Sequence, residues 1–271
     1  MSIASLPVWK VISGHLVGTT DKVAVEQPLE IRLQYGPDTA RTEKNLSVTM
    51  RTPGHDTELA LGFLFTEGIL PDASVILGIQ PGPDSVLISL HNSFLPDLGG
   101  MERHSFTNSS CGVCGKSSID ALRRQPSPVP VKTGQAPVAT ELLFALPQRL
   151  RESQEIFDST GGLHAAALFD RNGRLAALRE DIGRHNALDK LIGYTFLQDT
   201  LPVSDHILLL SGRACFELVQ KAGMAGIAIV AAVGPPSSLA VQAAEDAGMT
   251  LVGFLRDKRC NIYTGAHRIR L

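Results

Sequence analysis

The sequence predicts a mixed α/β protein, α+β overall, in which a smaller β-rich N-terminal domain precedes a mixed-sheet C-terminal domain. Three observations predict it. Strand-like alternation dominates the first third of the chain, a proline-rich segment interrupts its middle, and apolar runs alternate with helical patterns after that segment. With 271 residues, of which 44% are hydrophobic, the chain can bury a full core.

The first third is predicted to contain strands at residues 22–33, 46–50 and 85–90, where apolar and polar residues alternate loosely. One helix interrupts them, at residues 57–67. We expect Asp56 to cap this helix, because an aspartate side chain can accept hydrogen bonds from the free amides of the first turn.

A proline-rich stretch marks the predicted domain boundary. Residues 125–139 contain four prolines and almost no periodicity, which is typical of an extended linker. We therefore predict an N-terminal β-rich domain at 1–125, ending in a CxxC loop and its helix. A proline-rich linker follows at 126–139, and an α/β domain occupies 140–271.

The C-terminal domain is predicted to alternate strands and helices. Strands are expected at residues 164–169, 175–178, 207–210, 227–233 and 251–255. Asn172-Gly173 lies between the first two and predicts a tight hairpin. Helices are expected at 186–196, which has an amphipathic pattern, and at 214–222 and 239–247. These elements together predict a mixed sheet.

Charge and hydropathy exclude two classes of partner. A net charge of −2 with 19% charged residues gives no general reason to bind nucleic acid or an anionic membrane. The longest apolar run, residues 227–233, is too short to span a bilayer, and residues 1–14 lack the pattern of a leader peptide. We therefore expect a cytoplasmic protein.

The most specific motif is the CxxC pair Cys111 and Cys114. Ser117 and Asp120 have capping-box spacing, so both thiols are predicted to precede a helix N-terminus. The partial positive charge of that terminus and the charge of Lys116 favour the thiolate over the thiol. A thiolate is the form that attacks sulfur, so the loop is predicted to carry sulfur chemistry.

Structural zinc is the main rival interpretation of the CxxC spacing. A closed zinc site needs two more ligands. The remaining cysteines, Cys215 and Cys260, are single and lie in unrelated segments, so no metal site is predicted and neither cysteine is assigned a role.

Two further motif matches fail on their context. Residues 110–117 match a phosphate-binding P-loop except at the first glycine, but the preceding segment is too polar to be a buried strand. The combination of CxxC with His164 resembles zinc deaminases, which need a His-x-Glu signature. Ala166 occupies the glutamate position, so catalytic deamination is not expected. His164 itself is equally consistent with a structural and a functional role.

Two features could hold an anion. The run at residues 179–186, which includes Arg184 and His185, is either a solvated face or a ligand-binding or interface surface. Three strand ends also lead into loops of small or cationic residues, at 211–213, 234–238 and 256–259. If those strands are parallel, the loops gather at one sheet edge and form an anion crevice.

These motifs together resemble the formate dehydrogenase accessory sulfurtransferase family, FdhD. The resemblance spans nearly the whole chain and preserves the order of the motifs. They are Thr52-Pro53-Gly54 with the helix at 58–68, the CxxC segment at 110–116, Thr160-Gly161-Gly162-x-His164, residues 181–190, Ser211-Gly212-Arg213, and the segment from Gly253-Phe254 to Tyr263.

The resemblance implies a sulfurtransferase with a cysteine persulfide intermediate and a deaminase-like C-terminal fold. A cysteine desulfurase would load Cys111, with Cys114 assisting, and the sulfur would pass to molybdenum bis-guanine-dinucleotide destined for formate dehydrogenase. The family also implies a homodimer. It further implies a binding site for the guanine-nucleotide ends of this cofactor, which GDP would mimic. The expected binding residues are Phe254, Leu255, Arg256, Asp257, Lys258, Arg259, Ser211, Arg213, His164, Arg184 and His185. Alternatives are a non-catalytic cofactor chaperone and a zinc-dependent deaminase-like hydrolase.

Overall fold

A computed structural model describes residues 2–99, 128–132 and 134–271 of the protein. The helices of the described residues are α1 (Asp56–Thr66), α2 (Thr140–Ser153), α3 (Glu155–Thr160), α4 (Arg184–Leu197), α5 (Phe216–Met224) and α6 (Ser238–Asp246). The strands are β1 (Ile3–Ile12), β2 (His15–Ala24), β3 (Gln27–Tyr35), β4 (Thr42–Arg51), β5 (Ile76–Pro81), β6 (Ser85–Leu90), β7 (Val138–Ala139), β8 (His164–Phe169), β9 (Leu175–Asp181), β10 (Ile207–Leu210), β11 (Ile229–Ala232), β12 (Thr250–Arg256), β13 (Arg259–Thr264) and β14 (Ile269–Arg270). Within these ranges no helix has the length and apolar character that crossing a bilayer requires.

The largest sheet has six strands in the order β13-β12-β11-β10-β8-β9. Strands β10, β11 and β12 are parallel to one another, while the other neighbouring pairs are antiparallel. The predicted mixed sheet and the mixed α/β class are therefore confirmed. The predicted hairpin is also confirmed, since β8 and β9 are joined through a turn in which Gly173 has a φ of 75°.

Helices cover both faces of this sheet because its strands are apolar on both sides. Ala165, Ala167 and Phe169 of β8 pack with α2, in one cluster of buried side chains. Ala166 and Leu168 point the other way and pack in a second cluster with α4, α5 and α6. The period-2 alternation of β8 thus divides its side chains between two helix layers.

The N-terminal region forms a four-stranded sheet in the order β4-β3-β6-β5. Leu29, Ile31 and Leu33 alternate along β3 and are fully buried in the cluster that also contains α4 and α5. The strand predicted at 22–33 is therefore two strands, because the chain turns between β2 and β3. The two regions share one continuous core, and the boundary at 126–139 stays a prediction.

A long hairpin, β1–β2, precedes this sheet and was not predicted. Its large apolar side chains are mostly exposed; Trp9 is 74% exposed and Val11 is 71% exposed. Strand prediction depends on one buried and one solvated face. Since this hairpin buries neither face fully, its sequence lacks that signal.

The predicted cap of α1 is wrong. The N-cap residue is His55, which has a left-handed φ of 59°, and its side chain makes no capping hydrogen bond. The carboxylate of Asp56 instead accepts hydrogen bonds from Nε and Nη2 of buried Arg51, at 2.9 Å each. A charge-assisted pair with Arg51 is a stronger interaction for this carboxylate than a neutral amide.

Candidate functional site at the sheet edge

The carboxyl ends of the three parallel strands meet at one edge of the large sheet. The loop after β10 contacts the loop after β11, since the amide of Gly234 donates to the carbonyl of Gly212 at 2.9 Å. The amide of Phe254 in β12 donates to the carbonyl of Gly234 at 3.1 Å. The predicted gathering of these strand ends is therefore confirmed, while their role in ligand binding stays a prediction.

The end of β12 is irregular where the family resemblance places the nucleotide. Phe254 has a φ of 54°, and the pairing of β12 with β13 shifts register between Gly253 and Arg256. A non-glycine residue in the left-handed region is uncommon, and such residues concentrate at functional sites.

The predicted binding residues of this segment divide into two groups. Arg256, Asp257, Lys258 and Arg259 are exposed, whereas Leu255 is fully buried in the core. Leu255 therefore belongs to the packing of the sheet.

His164 begins β8 and lies against the loop after β10. A Cβ atom added to Gly212 would be 3.2 Å from Nδ1 of His164, so the glycine permits this close approach. Ser211 supports the same corner, because its hydroxyl accepts a hydrogen bond from the amide of Ala165 at 2.8 Å. Burial lowers the pKa of His164, and the nearby charges of Arg184 and His185 lower it further. The imidazole is therefore neutral at pH 7.

Arg184 begins α4 at this edge and has an unsatisfied donor. Its Nε is buried and has no hydrogen-bond partner among the described residues. Buried donors are nearly always paired, so an unpaired one needs an explanation, and binding of an anionic ligand is one. The N-terminus of a 14-residue helix adds partial positive charge at the same place.

His185, Cys215 and Glu217 form the group of described residues whose donor atoms could hold a metal ion. One donor atom from each lies within 4.8 Å of the other two. Cys215 was assigned no role from the sequence, and its partner His185 precedes it by 30 residues. The available signal was a cysteine at a predicted helix start with a glutamate two residues later.

The charged run at 179–186 and the α4 residues that follow it are largely buried. Asp181 is fully buried and pairs with Lys190 at 2.7 Å. Lys190 also donates to the carbonyl of Thr52 at 2.8 Å, and Asn186 donates to the carbonyl of Met50 at 2.8 Å. The interpretation as a solvated face is therefore wrong for these residues, which connect α4 to the N-terminal region.

The CxxC pair cannot be placed in this geometry. Cys111 and Cys114 lie outside the described residues, as does the helix expected after them. Their predicted role in sulfur chemistry stays a prediction.

The fold and the site define an α/β protein with a cluster of cationic loops at the carboxyl edge of parallel strands. A family model described as the FdhD/NarQ family matches residues 24–270. The chain belongs to the FdhD/NarQ family.

Curated relatives resemble the chain over almost its full length. The sulfur carrier protein FdhD of Streptomyces avermitilis is 46% identical over 275 residues, which cover 97% of this chain and 94% of the relative. The protein of the same name from Saccharolobus solfataricus is 42% identical over 250 residues, or 92% of this chain and 91% of the relative. The similarity therefore extends well beyond the CxxC segment.

One solved structure has the same fold. The crystal structure of a candidate formate dehydrogenase accessory protein from Desulfotalea psychrophila aligns with a TM-score of 0.74. It is 22% identical in sequence, and the alignment covers 100% of both chains. This likeness supports the fold of the whole chain.

Proposed function

We propose that this protein is a sulfur carrier for formate dehydrogenase, in which Cys111 accepts a sulfur atom from a cysteine desulfurase. The acceptor is molybdenum bis-guanine-dinucleotide, which is a substrate and not a resident cofactor. The observation that carries the proposal is the full-length similarity to proteins named as sulfur carriers. The matched regions cover 97% and 92% of this chain.

The transfer is a thiol exchange. A thiolate at Cys111 attacks the terminal sulfur of the desulfurase persulfide, a new S–S bond forms on Cys111, and the desulfurase cysteine leaves as a thiolate. Cys114 then attacks Sγ of the Cys111 persulfide. A Cys111-Cys114 disulfide forms, and the terminal sulfur leaves in reduced form, as sulfide. A thiol reductant restores the pair.

The sheet edge suits the guanine-nucleotide ends of the substrate. Their phosphates need cationic donors, and Arg184, Arg213 and the exposed Arg256, Lys258 and Arg259 supply them at one edge. The unpaired Nε of Arg184 supports a bound anion there. GDP carries the same groups and is the simplest probe of this site.

The proposal includes a homodimer. The exposed apolar side chains of β1–β2, including Trp9 and Val11, support an interface with a second copy, since a cluster of large exposed apolar side chains commonly marks a contact surface. Light scattering should give twice the chain mass, and Trp9→Asp should reduce it if this hairpin forms the interface.

Sulfur loading tests the proposal directly. The full chain is incubated with a cysteine desulfurase and cysteine, and the cysteine-containing peptides are analysed by mass spectrometry. We expect the mass of one added sulfur atom on the Cys111 peptide. Cys111→Ser should abolish formate dehydrogenase maturation while GDP still binds, and Cys260→Ser is the matched control that should mature the enzyme normally.

A non-catalytic chaperone for the same cofactor is the second candidate, because the sheet-edge site described above does not depend on the CxxC pair. In that case GDP binds normally, the Cys111 peptide gains no sulfur, and Cys111→Ser still matures formate dehydrogenase. Stoichiometric zinc in the purified protein would instead favour the third candidate, a zinc-dependent deaminase-like hydrolase.

A further inference from the structure

Cys215 lies at the N-terminus of α5, on the loop that leaves β10 at the sheet edge. It is the N-cap residue of that nine-residue helix and is half-buried. The chain immediately before it, at Ala214, bridges to Pro236 of the loop after β11. Cys215 therefore belongs to the same edge as the predicted anion crevice, although the mechanism proposed above does not use it.

The side chain of Cys215 is held in an ionic cluster. Nε2 of His185 lies 3.3 Å from Sγ of Cys215 and 3.9 Å from Oε2 of Glu217. His185 begins α4, so the two residues come from the N-terminal ends of adjacent helices. Both the partial charges of those helix ends and the imidazole favour a negatively charged sulfur.

The pKa values of the cluster follow from these contacts. Burial would lower the pKa of His185, but the hydrogen bond with Cys215 and the nearby carboxylate of Glu217 outweigh it and raise the pKa to about 9. Burial would raise the pKa of Cys215, but the hydrogen bond and charge of His185 lower it. Burial is likewise outweighed at Glu217, whose pKa is lowered to about 2 by contact with His185. At pH 7 His185 is thus protonated and Glu217 is ionised, and the imidazolium shifts the balance at Cys215 towards the thiolate.

Other charged groups face the cluster from neighbouring elements. Arg184 opposes the protonation of His185 from the adjacent position of α4. His164 of β8 is coupled to His185 and is neutral at pH 7. Lys221 of α5 interacts electrostatically with Glu217. Among the described residues, His185 is the group that most favours the thiolate of Cys215.

Cys260 provides an internal comparison. It is also half-buried and reduced, but burial is the cause that acts on its thiol, and burial raises its pKa. The two cysteines are therefore both partly buried, but their surroundings shift the pKa of the thiol in opposite directions. Any reagent that selects thiolates should distinguish them.

We propose that Cys215 is a second sulfur-accepting thiol of this protein, held with its Sγ 3.3 Å from Nε2 of His185, with Glu217 orienting the histidine. The ligand class is a persulfide, from a small molecule or from another cysteine. This inference rests on the proposed sulfur-carrier function only for the biological source of the sulfur. His185 and Glu217 are positioning residues.

The reaction balances without an external oxidant. The thiolate of Cys215 attacks the terminal sulfur of a persulfide R–S–SH, the S–S bond of the donor breaks, and R–S⁻ leaves. A new S–S bond forms on Cys215. The proton of the donor stays on the transferred sulfur, which gives Cys215–S–SH, and this persulfide ionises when a base accepts that proton. The sulfane sulfur keeps its oxidation state, so the step is an exchange.

The same three donor atoms suit a zinc ion, which is the competing outcome. The thiolate without a metal is favoured because the imidazolium of His185 already offsets negative charge on both neighbours, at 3.3 Å from Sγ of Cys215 and 3.9 Å from Oε2 of Glu217. Metal analysis of the purified full chain distinguishes the two. One equivalent of zinc that is lost in Cys215→Ser would overturn the proposal.

The decisive experiment uses the full chain with Cys111→Ser and Cys114→Ser, so that the proposed carrier thiols are absent. Glutathione persulfide is the donor, and peptide mass spectrometry locates the added sulfur. We expect it on the Cys215 peptide and not on the Cys260 peptide. Equal labelling of both cysteines, or none on Cys215, would overturn the proposal.

Alkylation by iodoacetamide measures the role of the positioning residues. Cys215 should react about tenfold faster than Cys260 at pH 7. As the pH is raised, the rate at Cys215 should reach its plateau at a lower pH than the rate at Cys260. His185→Gln should move the pH profile of Cys215 upward and leave that of Cys260 unchanged, and Glu217→Gln should move it less. A purely structural histidine would leave the profile in place. Thermal melting establishes that each variant is folded.

The two proposals fail separately. If Cys111 gains sulfur in the unmodified chain while Cys215 stays unlabelled in the Ser variant, the carrier function stands and the second site does not. If Cys215 is labelled while Cys111 is not, the sulfur-accepting thiol has been assigned to the wrong segment.

Discussion

The α1–α4 contact and the sheet edge use the same residue types for opposite purposes. Between α1 and α4, each charged group that we describe has a partner within the protein; Asp189, for example, accepts from Lys221 at 2.8 Å and from Thr66 at 3.1 Å. At the sheet edge, Nε of Arg184 is buried without a partner among the described residues. Complete pairing stabilises a fold, whereas an unpaired donor is positioned for a ligand.

Backbone packing shows the same contrast. Helices α1 and α4 approach so closely that a Cβ atom added to Gly193 would lie 1.8 Å from the carbonyl oxygen of Glu58. A Cβ added to Gly62 would lie 1.9 Å from the carbonyl oxygen of Asp189. At the edge, three backbone hydrogen bonds join the loops after β10 and β11, and a Cβ atom added to Gly234 would lie 3.0 Å from the nearest atom. Substitutions between the helices should therefore affect stability, and substitutions at the edge should affect binding.

The largest effect is expected from Gly193→Ala. The new methyl group must separate two helix backbones, which do not yield as side chains do, so we expect a loss of about 4 kcal/mol or more in the free energy of unfolding. Urea unfolding followed by circular dichroism measures it. Gly78→Ala is the matched control, because its Cβ would meet nothing within 4 Å. A change below about 1 kcal/mol for Gly193→Ala would mean that the helices are not in close contact.

Lys190→Met should have the next largest effect. It leaves the buried carboxylate of Asp181 without its cation, at a cost of about 3–4 kcal/mol. The control is Lys10→Met, which removes an ion pair of side chains that are 51% and 53% exposed and should change stability by less than about 1 kcal/mol. Similar effects of the two variants would contradict the distinction between buried and exposed pairs.

An acid-dependent effect of intermediate size is expected at Glu58. Burial would raise its pKa, but hydrogen bonds from Arg179 and His55 outweigh burial and lower it to about 2 from 4.5. A lowered pKa in the folded state contributes stability that is present above about pH 4.5 and is lost as the pH falls towards 2.

Glu58→Gln should therefore be less stable than the unsubstituted chain at pH 6, by about 1–2 kcal/mol after allowance for solvent screening. The difference should shrink as the pH falls from 5 towards 2. Urea unfolding across that range tests it, with Glu43→Gln in the exposed Arg32–Glu43 pair as the control. A difference that stays constant with pH would show that the carboxylate charge is not involved.

The elements of the large sheet could be predicted because buried parallel strands have continuous apolar sequences. Strands β10, β11 and β12 begin and end within two residues of the predicted bounds. Helix α4 was located correctly but was wrongly interpreted as amphipathic, because Asn186, Asp189 and Lys190 are buried. Their partners, among them Thr52 and Lys221, are distant in sequence, so periodicity could not reveal that they are paired.

The candidate site shows the same limit. The convergence of the strand ends followed from parallel pairing and could be predicted. The contact of Cys215 with His185 could not, because it joins the starts of two helices that are separated by β10 and 30 residues of chain. Short spacings such as CxxC can be detected in a sequence, whereas a pair formed by topology becomes visible in the structure.

The smallest effect on stability, and the largest on binding, is expected from Arg184→Gln. Because Nε of Arg184 has no partner among the described residues, its removal loses no hydrogen bond there and should change the free energy of unfolding by less than about 0.5 kcal/mol. If the edge binds guanine nucleotides as proposed, the affinity for GDP should fall about tenfold, or about 1.4 kcal/mol, by titration calorimetry. Arg32→Gln, in the N-terminal sheet, should leave GDP affinity unchanged. Lost stability with unchanged GDP affinity would place Arg184 with the structural charges between α1 and α4, and the contrast between the two regions would then fail at the edge.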